Sequence, residues 1–298
     1  MNILISGANG LIGSALATQL TAAGHRVGRL TRRPNRPDDL GWDPGQGIFE
    51  RSRLGEFDGV VHLAGEPVAG MRWTAEKKAR IRDSRVEGTR LLAEALAGLD
   101  KPPRVLISAS AIGYYGDRGD EVLDESSRAG TGFLADVAQA WEAAAQPAAA
   151  AGIRVVNPRF GVALSPAGGA LKQMLTPFRL GAGGRIGSGK QFVSWIALDD
   201  VVGALALALE TDALSGPVNV VAPGPVTNAE FTRELGAAVG RPTLLPVPAA
   251  MLRLALGEMS ELLTASQRVL PRKLQEQHYS FRFPRLDAAL RHLLTSAE

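Results

Sequence analysis

The first thirteen residues constrain this chain more than any other stretch. Ile3-Leu4-Ile5 is a short apolar run of β character, and it leads straight into Gly7-Ala8-Asn9-Gly10-Leu11-Ile12-Gly13. Beyond the turn, Ile12, Leu16, Leu20 and Ala23 recur at helical spacing, and Gly24 marks a helix end. A strand that passes into a helix through Gly7, Gly10 and Gly13 lets backbone N–H groups approach a pyrophosphate at the positive helix terminus. The bland alternative is a structural turn with packing glycines; the strand before it and the helix after it favour the binding turn.

The same alternation continues. Arg26–Leu30, Gly59–Gly65, Arg104–Ser108, Ile153–Val156 and Val218–Val221 read as strands. Helical patterns fall at about Ala75–Leu96, Leu134–Ala145 and Ala197–Leu209, and Thr227-Asn228-Ala229-Glu230 reads as a capping box. Strands alternating with helices predict an α/β fold, a doubly wound parallel sheet covered on both faces. Residues 164–190 are glycine-rich and are expected to form a functional loop, and from about Pro242 the alternation stops.

Composition narrows the function classes. The 298 residues carry a net charge of +3, so no basic field points to nucleic acid or an anionic membrane. There is no cysteine, which excludes disulfides, thiolate metal sites and cysteine nucleophiles, and the four histidines show no metal-ligand spacing. No apolar run is long enough for a membrane helix, and the chain opens on a strand, so a cytoplasmic protein without a bound metal is expected.

The end of the second strand bears on the cofactor. A carboxylate there would accept hydrogen bonds from the ribose hydroxyls of NAD; this chain has Thr31-Arg32-Arg33 instead. A guanidinium binds a 2′-phosphate bidentately, so the residues favour NADP over NAD, unless both arginines are simply solvated.

With these motifs Leu63-Ala64-Gly65 and Ser108-Ala109-Ser110, the chain resembles the extended short-chain dehydrogenase/reductases (SDRs). Asp83-Ser84-Arg85-Val86-Glu87-Gly88-Thr89, Ser110-Ala111-Ile112-Gly113-Tyr114-Tyr115-Gly116 and Gly187-Ser188-Gly189-Lys190-Gln191-Phe192 are similar to one atypical branch of epimerase family proteins. Arg268–Leu274 through Phe281–Pro284 resemble that branch's C-terminal domain of unknown function. The resemblance implies an NADP-binding Rossmann domain over 1–163 and 192–222. It implies a smaller C-terminal α/β substrate lobe over 164–191 and 223–298, with the C-terminal segment at about 248–298. It also implies that Gly7, Asn9, Gly10, Leu11 and Ile12 line the pyrophosphate, and that Thr31 and Arg32 meet the adenosine ribose and its phosphate. Leu63, Ala64 and Gly65 pass beneath the cofactor, and Ser108, Pro158 and Arg159 lie on its nicotinamide side. Arg85 stands where the wider class has asparagine; it either reaches the cofactor phosphates, the favoured reading, or pairs with an acid in the sheet.

The catalytic pattern of the wider class, Tyr-x-x-x-Lys, falls here on Phe133 and Val137, which offer neither a proton nor a charge. Ser110 remains to hold a carbonyl, and Tyr114 or Tyr115 to donate the proton, unless both rings only pack. Glu66 is a further acid, Lys190 a candidate for an anionic substrate group, and Trp195 and Phe178 either wall a pocket or fill the core. The acidic run Asp117–Glu125 reads as a solvated loop. Two functions follow. One is an NADP-dependent oxidoreductase or epimerase that acts on a small carbonyl or sugar-like substrate with a non-standard proton donor. The other is an inactive NADP-binding regulator of a protein partner. A small-molecule substrate is expected between the Ser108–Tyr115 loop and residues 172–195, with no nucleic acid or membrane partner, and homodimer formation stays open.

Overall fold

The computed structural model describes residues 1–46, 48–70 and 72–295. The chain opens with β1 (Asn2–Ser6), α1 (Leu11–Ala22), β2 (Arg26–Thr31), β3 (Leu40–Asp43), β4 (Ile48–Phe49), β5 (Gly59–His62) and the long α2 (Ala75–Ala97). Next come β6 (Val105–Ser108), β7 (Ser110–Ala111), β8 (Val122–Leu123), α3 (Phe133–Ala143), α4 (Gln146–Ala150), β9 (Arg154–Phe160) and β10 (Val162–Leu164). They are followed by α5 (Gly169–Arg179), β11 (Phe192–Val193), β12 (Trp195–Ala197), α6 (Leu198–Glu210) and β13 (Gly216–Val220). The last elements are β14 (Val226–Thr227), α7 (Asn228–Ala238), α8 (Ala249–Leu256), α9 (Glu261–Thr264), β15 (Arg268–Val269), α10 (Arg272–Glu276) and α11 (Leu286–Thr295).

The main sheet has the order β13-β9-β6-β5-β1-β2-β3-β4. Its pairs are parallel except β3–β4. Two-residue periodicity in β1 explains the double winding. Ile3 and Ile5 join Leu16 and Leu20 of α1 and Val201 and Leu205 of α6 on one face. Leu4 joins Leu92 and Leu96 of α2 and Ala145 and Ala148 on the other. From β1 the chain moves outward to β2 and β3, then returns to the other side of β1 as β5. Strand order therefore reverses at β1, and ligands of such sheets bind outside the carboxyl ends at that point.

A separate apolar cluster, with Leu164, Leu171, Leu175, Trp195, Phe231, Leu235 and Leu290, unites α5, α7 and α11. Two elements differ from expectation. The β3–β4 hairpin follows an Arg- and Pro-rich stretch, and four residues give too little periodicity to announce a strand. The glycine-rich 164–190 stretch contains a helix, α5, whose Leu171, Leu175 and Phe178 point inward at i, i+4 and i+7. Its glycines mostly flank that helix. The capping box at Thr227 forms as read, with Thr227 and Glu230 bonding each other's backbone N–H. Among the described residues no helix is long and apolar enough to cross a membrane.

Candidate functional site

The three glycines of the first turn do different work. Gly7 adopts φ +68°, and a Cβ there would lie 2.8 Å from the Leu63 carbonyl carbon. A Cβ on Gly13 would fall 2.3 Å from the Gly7 oxygen, so α1 packs on its own turn only without a side chain. Gly10 is exposed, and its Cβ would meet only the Gly7 oxygen, at 3.2 Å. Gly10 is thus the position where absence of a side chain opens the turn outward. No side chain caps α1 and no acid sits in its first turn, which leaves its N–H groups and positive end available to an anion. This cradle fits a dinucleotide diphosphate. Leu11 at its edge lies against Gly168 and Gly169, so the segment before α5 borders the turn.

At the carboxyl end of β2 an open cavity of about 670 Å³ is lined by Asn9, Arg29, Thr31, Arg32, Arg33, Asn35 and Asp43. Its cations are not equivalent. Arg29 is spent on buried Asp39, with Nε and Nη2 donating over 2.8 and 2.6 Å. Burial raises the Asp39 carboxyl, but Arg29 and two backbone N–H groups outweigh it and hold the group below its ordinary value. Arg32 and Arg33 are exposed and have no carboxylate partner among the described residues. Among the described residues Asp43 is the one acid on the cavity wall, and its Oδ1 accepts from the Gly45 N–H. Two free guanidinium groups beside Thr31 suit a phosphate.

The floor beneath Leu63 and Ala64 is a buried relay that sequence reading missed. Their N–H groups donate to the Ser6 Oγ over 3.1 and 3.3 Å. With its acceptor positions taken, the Ser6 hydroxyl donates to His62 Nδ1 at 2.6 Å. The ring proton of His62 therefore sits on Nε2, which has no hydrogen-bond partner among the described residues. Burial pulls this ring down to about 4, so it is neutral.

Beyond β5, Glu66 binds Lys77 at 2.7 Å with Arg80 at 3.6 Å. Lys77 holds its carboxyl below the usual range, so Glu66 is an ionised partner and a poor acid at neutral pH. Arg85 does not pair with an acid in the sheet: its Nη1 donates to the Glu66 and Ile81 carbonyls at 2.9 and 3.0 Å.

The other end of the crevice, at β6 and β9, is densely paired. Arg159 is 2% exposed; its Nε and Nη2 grip both oxygens of Glu142 at 2.7 and 2.8 Å. Burial works against the Arg159 charge, but Glu142 outweighs it and holds the guanidinium above its ordinary value. Ser110 also donates to Glu142, at 2.6 Å. Tyr115 is fully buried, accepts from Arg159 Nη1 at 3.0 Å and donates toward Asn219 Oδ1 at 2.7 Å. Burial pushes its hydroxyl up to about 12. Of the expected site residues, Tyr115 is thus buried, the Ser110 hydroxyl donates to Glu142, and the Arg159 guanidinium is paired inside the protein. Pro158 lies buried in β9 opposite Val218, and the Ser108 hydroxyl is buried with no hydrogen-bond partner among the described residues.

Tyr114 differs from its neighbour. It is half-buried, its ring lies 3.4 Å from the Arg159 guanidinium, and its hydroxyl has no hydrogen-bond partner among the described residues. The turn that carries it is clamped from the far end of the sequence. The Gln267 side-chain amide donates to the Ile112 and Gly116 carbonyls at 2.9 and 3.1 Å. Glu125, read as a loop acid, accepts from the Asn219 and Lys273 N–H groups. Phe133 packs edge-on against Trp73 and Val137 is buried, so neither supplies a polar atom. Trp195 and Phe178 are core residues, whereas Lys190 is exposed.

A doubly wound sheet with a glycine turn at its switch point, and a phosphate-suited cavity beside it, defines a Rossmann fold of the SDR type. The chain belongs to the NAD dependent epimerase/dehydratase family, which it matches over residues 3–222; residues 247–293 match a domain of unknown function, DUF1731. An epimerase family protein of Mycobacterium bovis is 46% identical over 295 residues, 98% of this chain and 97% of that one. The crystal structure of human epimerase family protein SDR39U1 (isoform 2) with NADPH superposes with a TM-score of 0.90 at 36% identity, covering 99% of both chains. A nucleoside-diphosphate sugar epimerase from Corynebacterium glutamicum gives a TM-score of 0.84 at 40% identity, over 99% of this chain and 58% of that one.

Proposed function

We propose that this protein binds NADP(H) and reduces a small carbonyl or sugar-like compound, with Tyr114 as the proton donor. The observation that carries the cofactor choice is the pair of uncompensated arginines, Arg32 and Arg33, in the cavity beside the glycine turn. The human relative's NADPH supports it. The turn around Gly10 holds the diphosphate, Asn9 and Thr31 border the adenosine ribose, and Leu63–Gly65 form the floor. When bound, NADPH supplies a hydride for the carbonyl carbon. Tyr114 hands its hydroxyl proton to the carbonyl oxygen, which leaves an alcohol. Arg159, fixed by Glu142, steadies the Tyr114 ring from below.

Phe133 and Val137 favour a second reading, a cofactor-binding regulator without turnover. Calorimetry on Arg32→Ala tests the cofactor choice: NADPH affinity is expected to fall about tenfold or more while NADH affinity holds. Equal losses for both would refute it. A carbonyl panel then separates the two readings. Reduction by the wild type that Tyr114→Phe abolishes, with NADPH affinity intact, supports catalysis; an inert wild type supports the regulator.

A further inference from the structure

Helix α8 turns its apolar side outward. None of its residues is buried. Ala249, Leu252 and Leu256, at i, i+3 and i+7, form its half-buried face, and the opposite face is Ala250, Met251, Leu254 and Ala255, all exposed except at their own contacts with the helix. A surface helix of a globular protein carries polar residues on that side. The apolar face extends beyond the helix. The stretch before α8 adds Leu244 and Leu245, and the turn after α5 adds Leu180; with Met251 and Leu254 these side chains are 63 to 85% exposed. The two stretches run side by side. The Val247 N–H donates to the Arg185 carbonyl at 2.8 Å, and the Gly187 N–H donates to the Val247 carbonyl at 2.9 Å. A Cβ on Gly184 would lie 1.7 Å from the Leu245 oxygen, so only glycine admits this approach.

The charges around this face are of one sign. Residues 161–198 hold Lys172, Arg179, Arg185 and Lys190 and no acid, and residues 235–257 hold Arg241 and Arg253 and no acid. Arg179, Arg185, Arg241 and Arg253 are exposed and have no carboxylate partner among the described residues. The acids that flank the second stretch are engaged elsewhere, Glu234 with Arg233 at 2.9 Å and Glu258 with Lys78 at 2.6 Å. The next acid, Glu261, opens α9. A net charge of +3 averages this segregation away, so composition points to no membrane partner while the folded surface does.

Shape and charge together select what covers such a face. Side chains that stand this far out build no groove walls, so the face is not shaped to receive a helix or strand of another protein. A fluid acyl layer accommodates protruding side chains. A second copy across a two-fold axis would bring the same arginines to the contact from both sides. Anionic headgroups neutralise them instead. Arg253, beside the outward face of α8, can hold its guanidinium at headgroup level while Met251 and Leu254 enter the acyl region. We propose that α8, Leu244, Leu245 and Leu180 form a docking face that seats this protein on an anionic lipid surface. None of these residues lines the cavity at the end of β2, so the proposal stands apart from the cofactor reading.

The test is sedimentation of the full chain with vesicles of phosphatidylcholine alone and of phosphatidylcholine mixed with phosphatidylglycerol. Analytical ultracentrifugation reads the oligomeric state without lipid. Wild type is expected to bind the anionic vesicles about tenfold or more tightly than the neutral ones, and raised salt should weaken that binding. Arg185→Gln or Arg253→Gln should each cost about fivefold, and the double variant Met251→Ser, Leu254→Ser about tenfold or more. Lys101→Gln removes an exposed cation outside both stretches and should bind as wild type does. All these side chains point to solvent, so an unchanged urea midpoint verifies the fold of each variant. No binding to anionic vesicles overturns the proposal. So does binding that salt abolishes and the double serine variant retains, which would make the face a site for any polyanion, an acidic protein included. An equal loss in Lys101→Gln would reduce the attraction to bulk charge and overturn it too. A wild-type dimer that the double serine variant dissolves, without lipid binding, would assign the face to a second copy and overturn it as well.

Discussion

The two ends of one crevice treat their charges in opposite ways. At the β2 end, Arg32 and Arg33 are exposed and unpaired around an open cavity. At the β9 end, Arg159 is buried and bound to Glu142, Ser110 and Tyr115 are tied into the same network, and Asn219 joins it to β13. A surface cation left without a partner is free to bind a ligand phosphate at small cost, because water solvates it until the ligand arrives. A cation inside the fold must be neutralised at once, since an unpaired buried charge costs several kcal/mol. The same residue type is therefore a recognition element at one end and a framework element at the other.

That contrast can be broken most sharply at Arg159. Arg159→Met leaves Glu142 buried without its cation and should cost about 3–5 kcal/mol of stability, read from urea unfolding. Arg32→Ala, at the open end, should leave the urea midpoint where it was. Comparable losses from both substitutions would erase the distinction between the two ends.

The next effect depends on pH. His62 has an ordinary value of 6.5 when unfolded and about 4 when buried in the fold. Between those values the unfolded chain binds a proton that the native chain does not, so stability falls as pH drops from 6.5 toward 4. The slope from this one group is at most about 1.4 kcal/mol per pH unit. His62→Gln should unfold with a shallower pH dependence across that window. A variant with the wild-type slope would show that the ring is charged or hydrated in the native state.

A smaller difference separates the adjacent tyrosines. Tyr115→Phe strips Arg159 and Asn219 of a shared partner and is expected to destabilise by about 1–3 kcal/mol. Tyr114→Phe removes a hydroxyl without a hydrogen-bond partner among the described residues and should unfold at the wild-type urea concentration, while it abolishes reduction. If Tyr114→Phe proved the more destabilising of the two, its hydroxyl would be a framework group and not a free donor.

The smallest effects on stability should come from the glycine turn read position by position. Gly10→Ala adds an outward methyl group whose one close neighbour is the Gly7 oxygen at 3.2 Å, and should keep the fold while weakening NADPH binding. Gly13→Ala would push a methyl group against the Gly7 carbonyl and should lower the thermal midpoint. Equal thermal midpoints for the two variants would contradict the separate roles assigned to the outward and inward glycines.

Much of this architecture was legible in the sequence. The strand, glycine turn and helix at Ile3–Leu20, the alternation that follows and the capping box at Thr227 are local patterns, because side-chain period and backbone freedom act over a few residues. The absence of an acid after β2 and the loss of a Tyr-x-x-x-Lys couple at Phe133 and Val137 are equally local facts. What the tertiary structure decided is which polar groups are free. Glu142 and Arg159 are 17 residues apart, Tyr115 and Asn219 are 104 apart, and Gln267 reaches back 155 residues to Ile112. Pairings of that range carry no periodicity and no spacing, so Tyr114 and Tyr115 look alike in sequence, and so do Arg85 and Arg159. Only folding, which removes water and forces each buried charge to find its partner, separates the groups that hold the protein together from those left to act.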